Sequence, residues 1–316
     1  MVFIYLPFLL NKERMMKPRF TLATIIVNYK SEERTITYVK EELLSKCSIP
    51  QLIIIVNNKA TDESSEKISN ALDAPIIKNI AECTIHSNIY IIHNLENSGF
   101  AKGNNLGVDF ITHHFSVEYL LFTNNDIRFI DSNVIDVLID KLKMLPDVGV
   151  IGPKVVGLDG NCQSPNDYVP FWTEMVGQYW ERFIPFYHIK HFDQNKAKEG
   201  FYYRLMGSFL VVKYKEFVRC GKFDPNTFLF GEEVILSERM NAIGMKCYYI
   251  PSVSILHEHG VTVEKHLNQV RGNFMMYESL SYYYLKYRGV NRFSIFIAKI
   301  STLLYSYAQF FIRKIK

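Results

Sequence analysis

The chain has 316 residues, 48% of them hydrophobic, which is enough for one large α/β domain or for such a domain with a C-terminal extension. Its formal net charge of +4 does not require a nucleic-acid partner, and no nucleic-acid role is expected. The five cysteines form no Cys-x-x-Cys pair and have no histidine at zinc spacing, which argues against a disulfide framework and predicts reduced thiols in a cytoplasmic protein.

Residues 1–17 are predicted to form a tail outside the folded domain. Residues 1–10 are apolar, but a bilayer-spanning helix needs about 20 residues, and the small residues of a secretory cleavage site do not follow. Because Met15 and Met16 directly precede the first predicted strand, residues 1–14 are interpreted as a mis-called start or a surface tail.

Four apolar runs in the first half of the chain predict buried strands, and polar side chains follow each run. The runs cover residues 22–27, 51–56, 89–93 and 119–123, and they are followed by Asn28, Asn57, the segment 97–105 and Asn124. Helices are predicted between them, begun by Ser31, by Thr61 or Asp62, and by the turn at 97–105. This alternation is typical of a mostly parallel sheet with helices on both faces, which brings the polar ends to one edge.

Asp126 is the strongest candidate ligand at this edge. It directly follows Asn124 and Asn125, and open α/β sheets bind their ligands beyond the carboxyl ends of the strands. Asp131 and Ser132 are predicted to cap the next helix, which leaves the Asp126 carboxylate available for Mg²⁺ or Mn²⁺. Capping of that helix by Asp126 itself is the alternative.

The amide-rich turns allow two interpretations. Asparagines and glycines such as Gly99 are common in ordinary turns, but the backbone amides of a glycine-containing turn at a helix start can also bind a diphosphate. The first strand is not followed by Gly-x-Gly-x-x-Gly, and the sequence has no Gly-Lys-Ser/Thr, so neither a dinucleotide-binding fold nor a P-loop is expected.

The second half of the chain adds further candidates. Gly207 opens an apolar run with small residues that leave room for a ligand. Glu232 and Glu233 begin a helix, where the helix dipole favours acids, although one of them can instead serve as a general base for a hydroxyl. His257 ends a late strand and is either structural or a metal ligand. The aromatic segment 168–203 is either a flap of the core or an acceptor-binding surface.

In this order, the motifs resemble those of the family 2 glycosyltransferases, and within that family the bacterial rhamnosyltransferase-like members. The resemblance covers residues 21–260 and depends mainly on the segments 97–105 and 124–126. It implies a GT-A domain at 18–265 and an inverting transfer of a sugar from dTDP-rhamnose or a UDP-sugar. The implied acceptor is a hydroxyl of a glycan or lipid-linked glycan in surface polysaccharide synthesis.

The resemblance also implies roles for single residues. Glu233 would be the catalytic base, Asp126 would hold Mg²⁺ or Mn²⁺, and His257 would be a further metal ligand. The residues implied to contact the nucleotide sugar are Asn28, Tyr29, Asn57, Asn97, Gly99, Phe100, Ala101, Asn104, Asn124, Gly207 and Glu232.

The chain departs from the family pattern at three positions. Asn57 and Glu233 stand where the family usually has Asp, and Ile235 replaces a second downstream acid. These departures keep open the alternative of a catalytically inactive subunit that binds a nucleotide or a glycan. A nucleotidyltransferase is a further alternative, although the first strand is not followed by the glycine-rich, basic loop that such enzymes normally use.

The C-terminal extension, residues 266–316, is predicted to contain an amphipathic helix. An apolar set recurs at helical spacing and consists of Phe296, Ile300, Leu303, Leu304, Tyr307 and Phe311. Seven basic residues but no acid follow Glu278. Such a helix is typical of a peripheral contact with an anionic membrane, here the inner face of the cell membrane. Closure of the catalytic core and a dimer contact are the alternatives.

Overall fold

The computed structural model describes residues 17–177, 180–181, 191–258 and 269–315. The predicted tail up to residue 16 and the middle of the aromatic segment lie outside the described residues. All five cysteines lie within them, and each is a free thiol, in agreement with the prediction from their spacing.

A mixed sheet of ten strands forms the centre of the described chain. The strands are β1 (Arg19–Asn28), β2 (Gln51–Asn58), β3 (Ile76–Ile77), β4 (Ile89–Asn94), β5 (Ser116–Thr123), β6 (Ile127–Phe129), β7 (Val148–Gly157), β8 (Gly200–Tyr202), β9 (Phe209–Lys213) and β10 (Lys246–His257). Their order is β3-β4-β2-β1-β5-β9-β7-β10-β6, with β8 beside β10. The strands β1, β2, β4 and β5 are parallel, as predicted, so their polar ends share one edge.

Helices cover both faces of the sheet. They are α1 (Glu32–Tyr38, continued by a π-helical turn Val39–Leu44), α2 (Asp62–Leu72), α3 (Gly99–His114), α4 (Val134–Met144), α5 (Tyr214–Arg219), α6 (Glu232–Ala242), α7 (Gln269–Tyr287) and α8 (Arg292–Ile315). The core on one face includes apolar residues of α1, α2 and α4, and the core on the other includes those of α3, α5 and α6. Among the described helices, none has the length and apolar character needed to cross a membrane.

The central strands lie where the sequence predicts them, because their residues are apolar on both faces of the sheet. All eight residues of β2 are buried, as expected for a central parallel strand. The late strand that His257 was predicted to end is β10, and its pairing with β7 is irregular between Ile250 and Ser254. Pro251 lies in this irregular stretch and cannot donate a ladder hydrogen bond, which accounts for the irregular pairing.

The predicted helix caps differ in outcome. Ser31 lies at the N-cap of α1 as predicted, but its side chain makes no capping hydrogen bond. The prediction for α2 is confirmed, because the Thr61 side chain accepts a hydrogen bond from the backbone N–H of Ser64 in a capping box. The prediction that Asp131 caps α4 is wrong. Its carboxylate accepts two hydrogen bonds of 2.8 Å from the backbone and hydroxyl of Ser254, and Asn133 precedes α4 without a side-chain cap.

The C-terminal helices are attached to the domain through α6 and a short turn. A third apolar cluster joins residues of α6, α7 and α8 with the π-helical turn Thr173–Gly177. Asp224, whose side chain is fully buried, forms ion pairs with Arg239 of α6 at 2.9 Å and Lys286 of α7 at 3.0 Å. The predicted extension therefore begins as a packed part of the fold.

Candidate active site

Two side chains from different strands meet at the carboxyl edge of the sheet. Asp126 lies shortly after β5 and His257 ends β10, and Oδ1 of Asp126 is 3.4 Å from Nε2 of His257. Gln163 orients the imidazole, because its Oε1 accepts a hydrogen bond of 2.8 Å from Nδ1 of His257. Oδ1 of Asp126 is buried and has no hydrogen-bond partner within the described part of the chain. A carboxylate oxygen in this state, beside an imidazole, suits a divalent cation.

This pair would fit Mg²⁺ or Mn²⁺ together with a phosphorylated ligand. Groups of three or more His, Cys, Asp or Glu that could hold a metal are absent from the residues that the structure describes. Mg²⁺ is commonly bound by one or two carboxylates and completes its shell with water and substrate phosphate. Asp126 and His257 therefore suit a cation whose other ligands come from a bound diphosphate and water.

Three asparagines that end or follow β1, β2 and β5 belong to one hydrogen-bond chain. It runs from Asn125 through Ser31 and Thr35 to Asn28, then to Asn57, and ends at Ser64 and Ser65, with distances of 2.8–3.0 Å. Asn28 and Asn57 are almost completely buried, and their amides are used inside the protein. Nδ2 of Asn57 donates hydrogen bonds to the hydroxyls of Ser64 and Ser65. The aspartate that the family usually has at this position could not donate them, so the amide of Asn57 has a structural role here.

The turn at the start of α3, which the sequence allows as an ordinary turn or as a diphosphate site, is held from two sides. Nδ2 of Asn58 donates to the carbonyl of Gly99 at 3.1 Å, and Asn94 donates to Asn58 at 2.8 Å. On the other side, the backbone N–H of Phe100 donates to the carbonyl of Phe228 at 2.9 Å, so this amide is already bonded. Gly99 has φ +74°, and a Cβ there would lie 2.2 Å from the Phe228 carbonyl oxygen, so this contact requires glycine.

The other residues predicted to contact the nucleotide sugar differ in exposure. Ala101 and Asn104 are buried in α3. Tyr29, Asn97 and Asn124 are partly exposed beyond the strand ends. A ligand at the edge could reach these three side chains without a rearrangement of α3, and the binding roles of all five residues stay predictions.

Glu233, the predicted base, lies in the first turn of α6 at the same edge of the sheet. A Cβ built on Gly207 would lie 3.7 Å from Oε2 of Glu233. The next residue, Ser208, accepts a backbone hydrogen bond of 3.0 Å from Asn124. These contacts bring the Glu233 carboxylate close to the segment that also carries Asp126. Nη1 of Arg204 lies 3.2 Å from Oε1 of Glu233.

The neighbouring Glu232 is a buried acid. It is 5% exposed, and burial together with the nearby Glu233 raises the pKa of Glu232 to about 8. Burial therefore disfavours the ionised form of Glu232. Among the described residues, three of the five buried side-chain atoms without a partner belong to Asp126, Ser208 and Glu232, a concentration typical of a ligand site.

Ile235, which replaces the second downstream acid of the family pattern, belongs to the core. It is fully buried and lies in the apolar cluster that includes Phe171, Tyr277 and Leu280. The position therefore contributes to the attachment of the C-terminal helices in this protein.

Sequence reasoning missed three residues at this site. Gln163 contacts His257, Arg204 contacts Glu233, and Asn125 begins the asparagine chain. Gln163 and Arg204 stand in segments without a recognisable motif, so no local signal could have identified them. Asn125 lies inside the Asn124 to Asp126 motif and could have been chosen from its position alone.

Two sequence relatives are rhamnosyltransferases. An N-acetylglucosaminyl-diphospho-decaprenol L-rhamnosyltransferase of Mycobacterium tuberculosis is 26% identical over 147 residues, which are 44% of this chain and 47% of that protein. Rhamnosyltransferase WbbL of Escherichia coli K12 is 33% identical over 51 residues, 16% of this chain and 19% of that protein. The chain thus spans about half of the first relative and less of the second. No protein-family model matches the chain.

A solved structure shares the fold. The crystal structure of GalNAc-T7 with UDP, GalNAc and Mn²⁺ has a TM-score of 0.54 and 13% sequence identity, and the match covers 76% of this chain and 44% of that one. At this identity the likeness shows the fold alone, and it confirms the GT-A architecture predicted from the sequence. Fold and sequence matches together show that the chain has a GT-A fold and is similar in sequence to rhamnosyltransferases.

Proposed function

We propose that the protein is an inverting glycosyltransferase that moves a sugar from dTDP-rhamnose or a UDP-sugar to a hydroxyl of a glycan or lipid-linked glycan. The observation that carries the proposal is the meeting of the Asp126–His257 pair and the Glu233 carboxylate at one edge of the GT-A sheet. The name of the mycobacterial relative, which includes a diphospho-decaprenol, supports a lipid-linked acceptor.

In this proposal Glu233 acts on the acceptor. Its carboxylate accepts the proton of the acceptor hydroxyl while the hydroxyl oxygen forms a bond to the anomeric carbon of the donor. The bond from that carbon to the diphosphate oxygen breaks on the opposite face, and the nucleoside diphosphate leaves with the electron pair. A single displacement of this kind inverts the configuration of the anomeric carbon.

Asp126 and His257 would hold Mg²⁺ or Mn²⁺ at the diphosphate end of the donor. When bound, the cation would neutralise negative charge that develops on the leaving diphosphate. Gln163 keeps the imidazole oriented through its hydrogen bond to Nδ1 of His257. Tyr29, Asn97 and Asn124, which are partly exposed at the edge, would contact the nucleotide sugar.

Donor binding tests the proposal directly. We expect one donor among dTDP-rhamnose, UDP-sugars and GDP-sugars to bind in titration calorimetry with Mn²⁺, and to bind at least about tenfold more weakly with EDTA. Asp126→Asn should cause a similar loss because it removes the charged ligand, whereas the exposed Asp140→Asn on α4 should bind like the wild type. Failure of every donor under every metal condition would overturn the proposal. Binding without turnover would favour an inactive subunit.

We further propose that α8 contacts the inner, cytoplasmic face of an anionic membrane. The helix packs on the protein through small and polar residues, Ala298, Ser301 and Thr302, which are at most 9% exposed. Its large apolar side chains form the opposite, exposed stripe, which comprises Phe293, Phe296, Ile297, Ile300, Leu304 and Tyr307. Because these apolar side chains are exposed, the alternative that α8 closes the catalytic core is disfavoured.

The basic residues of α8 favour an anionic bilayer as the surface that this apolar stripe contacts. Arg292 and Lys299 are exposed and have no ion-pair partner among the described residues, and Arg313, Lys314 and Lys316 follow in the sequence. Basic side chains beside an apolar helical face are typical of binding to anionic lipid surfaces. Such a position would bring the site close to a lipid-linked acceptor.

Vesicle sedimentation measures this contact. The wild type should sediment with phosphatidylglycerol-rich vesicles and not with pure phosphatidylcholine vesicles. Replacement of Phe293, Phe296 and Leu304 by Ser together should weaken binding at least about tenfold, because less apolar area enters the lipid. Leu95→Ser, which removes an exposed leucine elsewhere, is the matched control. Equal sedimentation of the triple variant, or a wild-type dimer that the triple variant loses, would refute the membrane contact.

A further inference from the structure

The guanidinium of Arg204 lies between two carboxylates, that of Glu174 and that of the proposed base Glu233. Its Nη1 is 3.2 Å from Oε1 of Glu233, and its Nη2 is 3.5 Å from Oε1 of Glu174 in the turn Thr173–Gly177. The three side chains are between 13% and 21% exposed, so solvent screens their interaction only in part.

The surrounding structure fixes the position of Arg204. Its backbone N–H and carbonyl both pair with Asn166, at 3.1 and 2.9 Å. Glu174, its second partner, accepts a hydrogen bond of 2.7 Å from the Tyr284 hydroxyl of α7. The backbone pairing fixes where the Arg204 side chain begins, and its guanidinium lies between Glu233 and the anchored Glu174.

The proposed chemistry requires that Glu233 be ionised although it stands next to another acid. Burial and the nearby Glu233 raise the pKa of Glu232 to about 8, which disfavours a second negative charge at this place. Farther along α6, Glu238 is already occupied by Tyr203 and by Arg288 at 3.0 Å. Arg204 is the cation that contacts Glu233 among the residues that the structure describes.

We infer that Arg204 is a positioning residue for the base: it holds the Glu233 carboxylate in place and in its ionised form. The inference rests on the proposed function, since it assigns Arg204 to the same transfer reaction. Arg204 acts through Glu233 and needs no contact with the substrate. Glu174 also pairs with the guanidinium of Arg204, and this competition weakens the attraction between Arg204 and Glu233.

Direct titration of Glu233 tests the inference without any need for activity. The ¹³Cδ signals of labelled glutamates report each pKa, and the signal of Glu233 is the one lost in Glu233→Gln. Arg204→Met should raise the pKa of Glu233 above its wild-type value, because an opposite charge 3.2 Å away is removed. Arg204→Lys should restore most of the wild-type value. Glu174→Gln should shift the pKa of Glu233 in the opposite direction, since it leaves the guanidinium to Glu233.

Arg288→Met is the matched control, because it removes an arginine from another glutamate of α6 and should leave the Glu233 titration unchanged. An unchanged pKa of Glu233 in both Arg204→Met and Glu174→Gln would overturn the inference, and if Arg204→Met does not fold, Glu174→Gln decides alone. In an active enzyme, the acidic limb of the kcat profile should follow the same shifts while the donor KM stays constant. A wild type that titrates as expected but turns over no donor would contradict the proposed function only.

Discussion

Glu233→Gln is expected to lower kcat by about 10²- to 10⁴-fold and to leave donor binding unchanged. Glutamine has nearly the same size and keeps an acceptor oxygen for Arg204, but it cannot take up the proton of the attacking hydroxyl. The change in kcat would be measured by nucleoside diphosphate release with saturating donor and acceptor, and donor affinity by calorimetry. Loss of donor binding together with turnover would assign Glu233 to the donor and not to the acceptor.

A surface glutamate provides the control for this result. Glu66→Gln, on the exposed side of α2, should retain wild-type kcat and donor affinity. Glu233→Asp adds a second comparison, because it keeps the carboxylate and shortens its reach by one methylene. Partial activity of Glu233→Asp with none for Glu233→Gln would show that ionisation, and not side-chain volume alone, is required at this position.

Asp224→Ala should reduce the free energy of unfolding by about 3–5 kcal/mol, because it leaves the largely buried guanidinium of Arg239 without its partner. Oδ2 of Asp224 accepts from Tyr282 at 2.8 Å and from Tyr287 at 2.6 Å, and it pairs with Arg239 and Lys286 at 2.9 and 3.0 Å. Urea unfolding at pH 7 would measure the loss. Asp147→Ala, which breaks a half-exposed ion pair with Lys246, should cost less than about 1 kcal/mol.

The effect of Asp224→Ala should depend on pH in a defined direction. Burial opposes ionisation of Asp224, but hydrogen bonds from Tyr287, Asn226 and Lys286 outweigh it and hold the pKa of this carboxyl well below its usual range. Its stabilising contribution is therefore complete above the unfolded pKa of about 3.9 and is lost as the pH falls toward the folded pKa. The difference between wild type and variant should be constant from pH 5 to 8 and shrink below about pH 4. A difference that grows on acidification would be inconsistent with this network.

The sequence was sufficient for the parts of the fold that depend on local patterns. β2 and β5 could be predicted because continuous apolar runs require burial on both faces, and the parallel alternation then places Asn28, Asn57 and Asn124 at one edge. The cap at Thr61 was equally local. The Asp131 prediction failed because Ser254, more than 100 residues away in the sequence, competes for the same carboxylate.

The missing parts of the site depend on distant partners. His257 could be predicted as a candidate ligand from its place at a strand end, but Gln163, which orients it, is 94 residues away. The guanidinium of Arg204 reaches Glu233 only because α6 packs beside the segment after β8. Side-chain pairs of this kind are set by packing in three dimensions, and a single sequence carries no periodic signal for them.

The asparagine chain has a consequence for how this protein can change over time or in the laboratory. Every hydrogen bond in the chain is donated in the same direction, from Asn125 through Asn28 to Asn57. Asn28 and Asn57 therefore each accept through Oδ1 and donate through Nδ2 within the protein. The side-chain amides of Asn28, Asn57 and Asn125 are therefore oriented by one another, although the first and the last are nearly a hundred residues apart in the sequence. Substitutions at them should be strongly non-additive, so their effects are best measured by changing the three positions jointly.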